Sequence, residues 1–165
     1  MNKYYLIKYQ GDWVVDMKTE KQKINLKTTS VVEFARFFSA EDRKKKIIAL
    51  SMLSDIKPED LKSYTANVTT VFDNDSDRYA VMFTTEDNKK SFLRHIEPNG
   101  VVVTKPDLPV EVGLDHAEYL PKEPAESAMS ILDIMKKQDM LHDNIKDAQF
   151  SLVKITRKVE NIKEI

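Results

Sequence analysis

Asp73, Asp75 and Asp77 have the spacing of the first three ligands of a calcium loop, in which alternate carboxylates reach one hard cation. Two later positions break that pattern. Arg78 stands where the loop needs glycine, and Thr84 stands where it needs a bidentate Glu. The stretch Asp73–Asp77 therefore reads as a turn, rich in residues that satisfy their own backbone, and no metal or cofactor is expected. Asp73, Asp75 and Glu86 could between them hold Mg²⁺ for cleavage of a nucleic acid, which is the enzymatic reading of the chain and the last in order. His95, His116 and His142 lie in no paired-ligand spacing. Asp115-His116 is an acid beside a base with no nucleophile attached to it, and catalysis needs groups that converge. With no Cys, thiolate nucleophiles and thiolate metal sites are excluded. With Gly11, Gly100 and Gly113 as the only glycines, a Gly-rich phosphate loop has nothing to be made from. The expectation is a protein without a catalytic centre.

Charge narrows the partners. Lys and Arg number 26 against 27 Asp and Glu, a net charge of -1, which suits neither a strongly basic nucleic-acid binder nor an acidic mimic of DNA. Arg43 to Lys46, and Lys89-Lys90 with Arg94, follow acidic helix starts and read as solvated faces. Nucleic acid stays open as a partner, but nothing indicates it. No apolar run approaches the roughly 20 residues that span a bilayer, so no membrane partner is expected. The opening Met1 to Lys8 reads as a strand, not as a secretory signal.

These groups need elements to carry them. Lys3 to Tyr9, Trp13 to Met17 and Lys23 to Lys27 alternate apolar and polar around Gly11, which predicts three antiparallel strands. Trp13, Phe34, Phe37 and Phe38 are expected in the core. Ser30 and Glu33 have capping-box spacing, and Ser39 with Asp42 opens a helix bearing Ile47, Ile48, Leu50 and Leu53. A second β region follows, with 67–72 and 79–84 joined by the Asp turn as a hairpin. Thr84 to Asp87 then predicts a helix carrying Phe92, Leu93 and Ile96, and Asn99-Gly100 turns the chain into a strand at Val101–Thr104. Ser39 to Lys45 and Thr84 to Lys90 resemble each other, as two acidic helix starts would.

Four of the six prolines fall between Lys105 and Pro124, which marks a connector and a domain boundary. Beyond it, apolar residues recur at spacings of three and four to the end of the chain. Ile131, Gln138, Ile145, Leu152 and Val159 fall at a, and Ile134, Leu141, Ala148, Ile155 and Ile162 at d. A helix over 125–165 would be a rod on the order of 60 Å. Its stripe is too long for the rest of the chain to cover. The predicted architecture is therefore α+β: an antiparallel-sheet head with short helices over 1–104, divisible into 1–60 and 61–104, a connector over 105–124, and a long C-terminal coiled-coil-like helix over 125–165. The ten a and d positions would form an oligomer seam, a dimer or trimer, and Leu132, Met140, Phe150 and Val153 a second contact face.

Tyr4-Tyr-Leu-Ile-Lys-Tyr, Gly11-Asp-Trp-Val, Ile24-Asn-Leu and Phe34-Ala-Arg-Phe-Phe-Ser-Ala-Glu-Asp42 resemble the opening of small accessory proteins of bacteriophages of low-GC Gram-positive bacteria. The resemblance covers the first 50 residues or so and carries no functional motif. Most such proteins are uncharacterised. It implies a phage origin and work in the host cytoplasm. The expected function is non-catalytic: an oligomerising protein that binds a protein partner, in the form of an inhibitor of a host defence protein. The alternative is a structural component of the virion, a baseplate or tail accessory.

Overall fold

A computed structural model describes residues 1–21, 23–97 and 100–165, so Asn99 of the expected Asn99-Gly100 turn lies outside the described residues. The chain divides into two units, 1–69 with 158–165, and 70–157.

The first unit is built on β1 (Asn2–Tyr9), β2 (Asp12–Glu20) and β3 (Lys23–Thr29), with α1 (Ala40–Leu53) and β4 (Leu61–Phe72) after them. The strands lie in the order β3-β2-β1-β4, with antiparallel pairing throughout. Gln10 and Gly11 both take positive φ, 51° and 88°, the twist that a two-residue hairpin turn requires. Side-chain alternation sends Tyr4, Leu6, Trp13 and Val68 to one face, where Phe37 covers them. Ile7 and Val14 go to the other face, under Phe38 and Leu50. α1 starts where Ser39 accepts a hydrogen bond from the Asp42 amide at 3.1 Å.

The second unit contains β5 (Tyr79–Thr84), β6 (Lys90–Glu97), β7 (Gly100–Val103), α2 (Val110–His116), α3 (Lys122–Lys137) and β8 (Gln149–Glu164). Here the strand order is β8-β5-β6-β7. Val81, Phe83 and Leu93 face α3, meeting Ala125, Ala128 and Leu132. Ala80, Phe92 and Ile155 face the opposite way and meet Leu114 and Ala117 at the end of α2. The last residues of β4 and of β8 fall in different units from the rest of those strands.

Four expectations are overturned. The long C-terminal coiled-coil-like helix does not exist. α3 stops at Lys137 and the chain returns as the 16-residue strand β8. The stop is a Schellman motif: the Met140 amide donates to Met135 O at 2.8 Å and the Asp139 amide to Lys136 O at 3.2 Å. Asp139 takes the left-handed position, φ 55°, where glycine is the usual signal. The helix expected to carry Phe92, Leu93 and Ile96 is a turn at Thr85–Lys89 followed by β6. The residues between β4 and β5 do not close a hairpin, because β8 lies between those two strands. The segment crosses it, with the Asp73 amide on Lys154 O and the Ile155 amide on Arg78 O, both at 3.0 Å. The proline-rich stretch holds α2 and belongs wholly to the second unit.

Candidate functional site

The acidic triplet is spread around a turn. One Asp73 carboxylate oxygen accepts from the Asp75 amide at 3.0 Å and the other from the Thr156 hydroxyl at 2.6 Å. Those two donors, Thr156 first, hold its pKa below the ordinary 3.8. Asp77 lies 3.6 Å from Arg78. Glu86 sits in the turn before β6, beside the Thr85–Asp87 hydrogen bond. Among the described residues, no three His, Asp or Glu side chains gather as a metal would need. The histidines are dispersed as well. His95 bonds Glu97 at 2.8 Å on β6, His116 is in the last turn of α2, and His142 lies between α3 and β8.

The ten positions assigned to a seam are scattered over three kinds of structure, so the heptad reading falls with the helix. Ile131 and Ile134 are on the outer face of α3, 44% and 54% exposed, and Gln138 is its C-terminal cap. Leu141, Ile145 and Ala148 are buried beneath α3, in the segment that follows it. On β8, Ile155 is fully buried, Leu152 and Val159 are half-buried and Ile162 is exposed. The second face is dispersed too: Leu132 is buried, Met140 is exposed, and Phe150 and Val153 pack on opposite faces of the second unit's sheet.

Among the described residues two charged side chains are buried, Asp115 in the last turn of α2 and Arg157, and nothing in the sequence singles out the second. Arg157 on β8 is buried, and its Nε donates to Thr70 Oγ1 at 3.0 Å. Its Nη2 donates to Leu114 O at 2.9 Å and to Ala117 O at 2.8 Å, and the guanidinium carbon lies 4.9 Å from the Tyr119 ring centre. These donors meet the carbonyl end of α2. Three of its partners are groups of the fold itself, so the arrangement anchors a helix end.

Two helices leave apolar side chains open on the surface among charged ones. α3 buries Ala125, Ala128, Leu132 and Met135 on one side. Outside that stripe it presents Glu123, Glu126, Ser127, Ser130 and Ile131 along a shallow depression of about 540 Å³, with Ile134 one turn further on. α1 buries only Leu50 fully. Its outer side carries Ile48 and Met52, 57% and 78% exposed and one turn apart, after Lys44 and Lys45. Glu41 lies 2.7 Å from Lys45 and raises its pKa by hydrogen bonding and charge. The sequence held a sign of this face. Ile47, Ile48, Leu50, Met52 and Leu53 surround the end of α1 and cannot all point one way.

No helix among the described residues is long and apolar enough to cross a membrane. The chain matches no protein-family description, no curated protein and no solved structure.

Proposed function

We propose that this chain is a non-catalytic protein-binding protein whose working surfaces are the outer faces of α3 and α1. One observation carries the reading. Ile131 and Ile134 stand exposed three residues apart on α3, Ile131 at the edge of the stripe that the helix buries and Ile134 on the side away from it. Isolated exposed apolar residues are ordinary, but pairs aligned on one face are the anchors of helix-mediated recognition. The likeness of the first 50 residues to phage accessory proteins supports one form of the reading, an inhibitor that covers a host protein in the cytoplasm.

Photo-crosslinking in cells tests the proposal. A photoreactive amino acid at position 134 should give discrete protein adducts, and Ile131→Asp should abolish them without lowering the melting temperature. Its absence from any protein adduct would overturn the reading.

A further inference from the structure

We propose that the partner for both faces is a second copy of this chain, with α1 of one copy seated against α3 of the next. The inference rests on the docking reading above and names its partner. The two faces are opposite in net charge and alike in layout: on α1 Glu41 pairs with Lys45 and leaves Lys44 in excess, while α3 carries Glu123 and Glu126. On α1, Lys44 and Lys45 precede Ile48 and Met52. On α3, Glu123 and Glu126 precede Ile131 and Ile134. At 1.5 Å per residue, Lys44 to Met52 and Glu126 to Ile134 each span about 12 Å. Laid side by side with their N-termini together, the helices bring Lys44 to Glu126 and isoleucines to Ile48 and Met52 in one register, with the Glu41–Lys45 pair beside Glu123.

Neither face suits its own copy. Two α3 faces laid in the same direction oppose Glu123 and Glu126 to themselves, and two α1 faces oppose Lys44 to itself. Turning either pair antiparallel sets charge against isoleucine. The contact that satisfies both charge and burial joins unlike faces, so it is heterologous. It leaves one α1 and one α3 open at the ends, and it closes as a ring or continues as a chain. The net charge of -1 puts little general repulsion in its way. One helix on one helix is a small interface, so association is weak and depends on concentration.

Light scattering of the full chain, alone and in mixtures, tests the arrangement. The wild-type mass should rise from one protomer toward two or more with concentration, and should fall back as salt screens the charges. Ile48→Asp and Ile134→Asp should each remain monomeric, since in each solution every copy lacks the same face. An equimolar mixture of the two should form a dimer and nothing larger, because it contains one intact α1 and one intact α3. Unchanged melting curves for both variants show that the fold is kept. A monomeric wild type at every concentration, a variant that keeps the wild-type mass, or a mixture that stays monomeric overturns the inference. The docking reading fails separately, if position 134 crosslinks to no protein. Adducts only with a different protein uphold the docking reading and overturn this one.

Discussion

Arg157 holds a full charge inside the second unit, with its guanidinium aimed at the carbonyl end of α2. Helix ends leave carbonyls without partners, and a seven-residue helix has few bonds of its own to offset that cost. The planar fork serves three acceptors at once while its face lies on Tyr119. Arg157→Met keeps much of the volume and removes every donor, leaving Thr70 and the Leu114 and Ala117 carbonyls in a buried site. The expected loss is about 3 kcal/mol, typical of breaking one side of a buried charged network. Arg157→Lys should recover less than half of it, because one ammonium cannot span the acceptors. Urea denaturation measures both, and a Met variant within about 0.5 kcal/mol of wild type, the scatter of ordinary surface changes, would contradict the anchoring role. Nothing in the sequence marked this residue. Thr156-Arg157-Lys158 has the composition of a solvated run, and burial is decided by Thr70, Leu114 and Tyr119, which are remote along the chain.

The end of α3 is decided by a left-handed residue that is not glycine. Asp139, at φ 55°, bears part of the strain that a side chain meets in that region, which a short polar residue tolerates best. Asp139→Gly should raise stability by about 0.5 kcal/mol, and Asp139→Ala should lower it by about 1 kcal/mol. Thermal melting of the pair checks the sign, and a Gly variant no more stable than the Ala variant would exclude the strain argument. The same residue explains how far the fold was legible. β1, β2, β3 and the Ser39-capped helix follow from alternation, a Gly turn and a hydroxyl cap, all local signals. The C-terminal stretch has no Gly or Pro after Pro124, so its helix period continued unchecked through Asp139. The strand was nevertheless written in residue types. Val153, Ile155, Thr156, Val159 and Ile162 are β-branched, and Phe150 with Leu152 alternates against Val153 with Ile155. Spacings of three and four and spacings of two coexist in so apolar a stretch, and only pairing with β5 chooses between them. Of the two proposed faces, Ile131 and Ile134 were legible as apolar positions but assigned to the wrong partner geometry. Ile48 is apolar like its neighbours Ile47 and Leu50, and the sequence alone does not say which of the three the helix leaves outside.

At the scale of the whole chain, the four buried clusters among the described residues respect the two units. Those of α2 and α3 lie entirely within 70–157, and the two around β1 lie within 1–69 together with Val159. Arg157 likewise finds Thr70, Leu114 and Ala117 inside the second unit. A fragment of residues 70–157 therefore keeps a sheet covered on both faces, its buried arginine and both helices, in a length at which many domains fold alone. It should unfold cooperatively in urea, with a slope on the order of 1 kcal/mol/M as expected for a small domain. A fragment of 1–69 should be weaker than its size implies. It lacks Val159, the bond from the Ile165 amide to Ser63 O at 3.0 Å, and the carboxylate of Glu164 beside Tyr64 and Lys62. A separate peptide of residues 158–165, added to 1–69, should raise its midpoint by supplying those partners. Removing 149–165 instead should abolish cooperative unfolding of the second unit, because β8 contributes Phe150, Leu152, Val153 and Ile155 to its two clusters. A terminal helix attached through a connector would leave residues 70–104 folded after the same cut, so sharp transitions at both Trp13 and position 83, followed by fluorescence in a 1–148 chain carrying Phe83→Trp, would contradict the role given to β8.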